Sequence, residues 1–267
     1  MLHWLGTGYA ARMSALIAFE RRGSTALLTL QRPPANALNL DLLQQAAEIL
    51  PQLVVPEVRA LVITGQGRFF SAGLDLFAVF AYADKEAAAF PVVFDEVVAG
   101  FYALPIPVVA AINGHAIAGG AVLAATADFR LVSEGESLLG LSEIRVGVPF
   151  PVSALEPVRS AWSGPHLGEL LYRGRNFRPP EALAAGLIDE VVPAAELLDR
   201  ALALADELGS RVPVAFAATK RALRREGLER IAAVGGPGKD PVWSMWHTPE
   251  VLAAMVAYRQ SLDKKRG

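Results

Sequence analysis

The chain has 267 residues, 53% apolar and 19% charged, which is enough to bury a core and excludes a disordered tail protein. It carries 25 Lys and Arg against 27 Asp and Glu, a formal net charge of −2, so no global basic field exists to hold nucleic acid or an anionic membrane. With no cysteine, disulfides, thiolate metal sites and Cys nucleophiles are excluded together, and the usage fits a reducing, cytoplasmic setting.

Residues 1–12 (MLHWLGTGYAAR) lack the long apolar stretch of a secretory peptide and read as an extension ahead of Met13, a second plausible start. Gly6, Gly8 and Ala11 spell GxGxxA, but no strand precedes them, so the match is read as chance. Ile17–Glu20 and Ala26–Leu30 read as strands around a turn at Arg22-Gly23. Asn39 precedes LDLLQQAAEIL with helical apolar spacing, and its side chain is suited to cap the first turn. Leu61–Thr64 reads as a strand, 84–102 as a helix, Pro107–Ile112 as a strand, Gly119–Ala125 as a helix and Phe129–Ser133 as a strand. Residues 97–127 contain no Asp, Glu, Lys or Arg, long enough for a membrane span. Pro105, Pro107, Asn113, Gly114, His115, Gly119 and Gly120 would break or polarise such a helix, so the stretch reads as a buried strand followed by a buried helix.

Strands alternating with helices predict α/β architecture with parallel pairing. From about residue 194 the strand pattern stops. Ala194–Leu208, Pro213–Arg225 and Pro249–Asp263 read as three helices, interrupted by a loop at Gly235, Gly236, Pro237 and Gly238. Lys220, Arg221, Arg224, Arg225 and Arg230 form a basic run that reads as a solvated helix face, because Glu226 and Glu229 are interspersed and no aromatic platform accompanies them. The chain lacks GxxxxGK[ST], HExxH and GxSxG, so a P-loop, a zincin and a hydrolase elbow have no support, and no metal site is expected. His115 reads as a hydrogen-bonded structural histidine ahead of a catalytic one.

RFFSAGLDL (68–76), PVVAAINGHAIAGGAVLAATADFRL (107–131) and LGLSEIRVGVPFP (139–151) together resemble the crotonase superfamily, also called the enoyl-CoA hydratase/isomerase family. RPPANALN (32–39) and FRPPEALAAGLIDEVVP (177–193) agree in order and spacing. The resemblance implies a spiral of ββα units over residues 13–193, carrying a CoA-thioester site. A helical trimerisation region over 194–267 would follow, giving a homo-oligomer that is a trimer or a dimer of trimers. Trp243, Met245 and Trp246 are expected to supply apolar contacts between subunits. No cofactor is implied, since CoA enters as part of the acyl-CoA substrate.

The resemblance also assigns roles. The backbone N–H groups of Leu74 and Gly119 correspond to an oxyanion hole for an enolate on the thioester oxygen, with Gly73, Gly120 and Ala121 clearing space around them. Taken alone, these glycines would equally be turn and packing residues. Glu143 corresponds to a base that moves the alpha-carbon proton, and apolar neighbours would raise its pKa. Without the resemblance it reads as a surface glutamate in a turn. Val122 stands where resembled hydratases carry the glutamate that activates water, and valine has no group to orient water or move a proton. This departure implies isomerisation of 3-enoyl-CoA to 2-enoyl-CoA by one carboxylate. A hydratase and a catalytically weak CoA-binding scaffold are the alternatives. Asn36, Ala37 and Leu38 match the loop approaching CoA, Ala72 lies beside the adenine, and Leu76 and Phe150 are expected along the acyl pocket. Asp75 lies near the oxyanion turn, where an Asx-type turn contact explains it as well.

Overall fold

The computed structural model describes residues 15–263; the expected extension at 1–12 and its GxGxxA pattern lie outside them. The chain opens with β1 (Ile17–Arg22), β2 (Thr25–Leu30), α1 (Leu40–Leu53), β3 (Ala60–Gly65) and β4 (Phe69–Ser71). It continues through α2 (Leu76–Ala81), α3 (Asp84–Ala103), β5 (Val108–Ile112), β6 (His115–Ile117), α4 (Gly119–Ala125), β7 (Phe129–Ser133) and β8 (Leu139–Gly140). The middle comprises α5 (Glu143–Val146), α6 (Val152–Ala161), α7 (Leu167–Leu171), β9 (Asn176–Phe177), α8 (Pro179–Ala184) and β10 (Glu190–Val192). The C-terminal part holds α9 (Leu197–Gly209), α10 (Pro213–Ala233), α11 (Val242–Met245) and α12 (Pro249–Asp263).

Two sheets form a spiral. The six-stranded sheet runs β1-β2-β3-β5-β7-β10 and the four-stranded sheet β4-β6-β8-β9. Each turn of the chain gives one strand to the large sheet and the next to the small one: β3 then β4, β5 then β6, β7 then β8. Pairing is parallel except at β1–β2 and β8–β9. The large sheet is covered on both faces, which is why β2, β3 and β5 read as nearly continuous apolar runs. Leu28, Leu30, Ile63 and Ala110 pack into the main core with α1, α3 and α4. The alternate residues Leu27, Val62, Val109 and Leu131 pack against Leu197, Ala201 and Ala205 of α9.

Local signals place the elements around the site. Asn39 caps α1 by accepting from the Leu42 N–H at 3.0 Å. The charge-free stretch forms the end of α3, then β5 and α4, and every residue of α4 is buried. Among the described residues no helix is long and apolar enough to cross a membrane.

The structure corrects two expectations for the C-terminal third. Lys220 and Arg224 of α10 are buried, not solvated, and both bind Asp128, each at 2.7 Å. The helix turns its Lys220, Arg224 and Gly227 stripe inward and its Arg221 and Arg225 face outward. Trp243 and Trp246 are not surface contacts either. They are buried within their own chain, where Trp243 packs edge-on against Phe90 and Phe94 and donates its Nε1–H to Asp95 at 3.0 Å.

Candidate active site

The loop at 32–38 lies zipped along 71–75, and this pairing builds one half of the site. Asn36, at φ 49°, accepts from the Arg32 N–H and donates to the carbonyls of Gln66 and Phe69. Asn tolerates the left-handed region better than most residues. The Ala72 N–H donates to Ala35 O, the Leu38 N–H to Gly73 O and the Asp75 N–H to Leu38 O, so the Leu74 N–H takes no part in the ladder. Arg32 closes the zip with a 2.6 Å ion pair to Asp75 and a bond to Ala37 O. The other Asp75 oxygen caps α2 by accepting from the Ala78 N–H.

The N-terminus of α4 abuts this zip. Gly73 has φ +81°, and a Cβ there would sit 2.8 Å from both the Gly119 nitrogen and the Ala118 methyl. Glycine is therefore required by conformation and by space together. Ala118 also has positive φ, 51°, a strained setting for alanine, immediately ahead of Gly119. The first N–H groups of a helix have no intrahelical partner, so the Gly119 N–H is available beside the Leu74 turn.

Between these parts lies a cavity of about 530 Å³. Ala37, Ala72, Leu74, Asp75, Leu76 and Glu143 line it, joined by Arg32, Phe77, Val146, Val148 and Tyr258, which sequence reasoning did not single out. Tyr258 comes from α12, more than a hundred residues beyond Glu143, and no local pattern marks it. Among the described residues the cavity wall carries Arg32 and Asp75, which neutralise each other, and the carboxyl group of Glu143.

Glu143 is the first residue of α5 and is 8% exposed, not a surface turn residue. Its Oε2 is buried with no protein hydrogen-bond partner among the described residues. Burial pushes its pKa up to about 8, opposed by the backbone N–H groups of Glu143 and Ser142.

Several expected contact residues stand behind the wall. Asn36 is buried and spends its amide on the backbone, so it shapes the loop and does not line the cavity. Leu38 is core and touches the space at Gly119. Gly120 clears the backbone of Ser71, which a Cβ would overlap, rather than the cavity. Val122 is buried in the core, and Phe150 packs on that core from outside; neither is on the cavity wall. His115 stacks on Phe69, with ring centroids 4.9 Å apart, and burial lowers its pKa.

A groove of similar size, about 570 Å³, lies between 53–59, 105–107 and 208–217. Its ionisable groups are Arg59, bonded to the carbonyls of Gly209 and Arg211, and Arg211, paired with Glu207. Among the described residues no carboxylate or histidine lines it, in contrast to the Glu143 cavity.

The sequence profile of the enoyl-CoA hydratase/isomerase family matches residues 20–234. The chain belongs to this family, within the crotonase superfamily. As a member of the family it is similar to the short-chain-enoyl-CoA hydratase of Clostridium acetobutylicum, 30% identical over 212 residues, 78% of this chain and 81% of that protein. It is also similar to the carnitinyl-CoA dehydratase of Escherichia coli, 34% identical over 214 residues, 79% of this chain and 81% of that one. Among solved structures, the apo enoyl-CoA isomerase of Mycobacterium tuberculosis superposes with a TM-score of 0.78 at 30% identity. That alignment covers 87% of this chain and 99% of the other. The crotonase fold and an enoyl-CoA hydratase/isomerase type of activity follow.

Proposed function

We propose that the protein isomerises 3-enoyl-CoA to 2-enoyl-CoA. The observation that carries this reading is Glu143: a buried carboxylate on an apolar cavity wall whose other carboxylate, Asp75, is committed to Arg32 and to capping α2. The Glu143 carboxylate takes a proton from C2. The bond pair shifts onto the thioester oxygen, giving a dienolate held by the N–H groups of Leu74 and Gly119. The carboxylic acid then returns the same proton to C4, leaving the double bond between C2 and C3. The balance closes on one residue, so the step uses no metal or redox group, and CoA enters with the substrate.

A pKa near 8 suits this task, because the same group acts first as base and then as acid. Hydration needs a second group to hold water, and Val122 is packed in the core where resembled hydratases carry it. The names of the curated relatives favour hydration as the second reading. Parallel assays on 3-hexenoyl-CoA and crotonyl-CoA, with product identification, separate them. Fast hydration of crotonyl-CoA without isomerisation overturns the first; turnover of neither leaves the scaffold reading.

We also propose self-association into a trimer or a dimer of trimers. Val212, Val214 and Leu223 around α10 are apolar and exposed on the single chain, which supports a further partner surface.

A further inference from the structure

The C-terminal helix α12 returns to the site instead of standing apart from it. It packs against both α2 and α5. Against α2, the Arg259 guanidinium lies 5.2 Å from the Phe80 ring centroid and 6.0 Å from that of Phe77. Against α5, Gly147 (φ +88°) leaves room for Ala254: a Cβ on Gly147 would sit 2.6 Å from the Ala254 methyl. Gly147 ends α5, four residues after Glu143, so α12 is seated where the helix of the carboxylate stops. Met255 is buried in the main core and anchors the same turn. Tyr258 then lines the same cavity as Glu143.

We infer that Ala254 and Tyr258 are positioning residues that hold α12 on α5 and keep water off the Glu143 carboxylate. The inference rests on the reading of Glu143 as the proton carrier and adds what makes it effective. Glu143 is 8% exposed although it lines the cavity, so neighbouring side chains take most of the space that water would fill around it. The short α5, four residues long, cannot exclude water alone. Tyr258 supplies an aromatic ring on the wall, and Ala254 sets how closely its helix approaches.

The charged and titratable groups around Glu143 do not account for its state. Arg32 and Asp75 share the cavity as a closed ion pair. From α12, Tyr258 presents a phenol and Arg259 is stacked on the rings of α2. On α5 itself, Arg145 is exposed and lies over Gly174. Burial is the leading cause of the raised pKa.

The test is a 13C NMR titration of the Glu143 carboxyl in the full chain, its signal assigned by its loss in Glu143→Gln. The pH profile of kcat/KM on 3-hexenoyl-CoA is measured in parallel. Tyr258→Ala is expected to lower the Glu143 midpoint by about one unit or more, towards an ordinary glutamate. Tyr258→Phe is expected to leave it in place, because the ring and not the hydroxyl displaces water. Ala254→Leu, which wedges α12 away from Gly147, is the second variant and is expected to lower it as well. A midpoint unmoved in folded Tyr258→Ala, or in Ala254→Leu should the first not fold, overturns the inference. A shifted midpoint in a protein whose wild type isomerises nothing upholds it and refutes the isomerase reading. An unmoved midpoint in an active isomerase does the reverse.

Discussion

Among single residues, the proposed chemistry rests on Glu143. Changing it to Gln preserves volume and removes the base. Turnover is expected to fall ~10²–10⁴-fold, with acyl-CoA binding largely kept, since the backbone donors are untouched. Stopped-flow turnover and calorimetric binding check both halves; an active variant would place the base elsewhere. In the wild type, kcat/KM is expected to rise with pH up to a limb near 8, where the carboxylate ionises. The stability consequence has the opposite sign. A folded pKa of about 8 lies above the usual 4.5, so the folded protein holds a proton that the unfolded chain releases. The contribution is complete below about 4.5 and is lost as pH rises through about 8. Denaturant melts should show the wild type losing more stability than Glu143→Gln between pH 5 and pH 9. Val122→Glu is expected to cut total turnover, because an unpartnered buried carboxylate costs several kcal/mol, and to leave the product ratio unchanged, since position 122 stands off the cavity wall. A ratio shifted towards hydration in the folded variant would show that position 122 reaches the reacting carbons.

At the scale of the element, Asp128 joins three parts of the fold. It follows α4, accepts from the Val108 N–H that begins β5, and binds Lys220 and Arg224 of α10. Arg224 also donates to the carbonyls of Tyr102 and Thr126 and lies over the Tyr102 ring. Removing one partner of a buried ion pair leaves uncompensated charge and typically costs ~3–5 kcal/mol. Asp128→Ala should therefore lower the unfolding free energy by that amount, read as a lower chemical denaturation midpoint at unchanged m-value. A loss below ~1 kcal/mol would show that α10 is held by other contacts. The basic run was visible in the sequence, but its partner was not. Charge periodicity says which residues share a helix face and nothing about which side of the molecule that face meets. The Asn39 cap needed no such information, because donor and acceptor are three residues apart.

At the scale of the whole molecule, the spiral brings Arg32, Leu74, Gly119, Glu143 and Tyr258 to one place although they span most of the chain. The proposed trimer or dimer of trimers would cover the exposed apolar residues around α10. Static light scattering at micromolar concentration checks this, and a monomer throughout would remove it. Trp243 and Trp246 would then be no part of any interface, since both are sealed against α3 and the core. Short-range physics, legible along the chain, accounts for the continuous apolar strands, the α1 cap, the Gly73 turn, the chargeless β5–α4 stretch and the ordered motifs of the family. These depend on neighbours within a few residues or on residue identity alone. The assembled fold, by contrast, sets that Glu143 is buried, that Asp75 is spent on Arg32, that Val122 and Phe150 stand off the wall, and that Tyr258 stands on it. Burial and ion pairing depend on which distant segment arrives opposite, and that is a property of the assembled spiral.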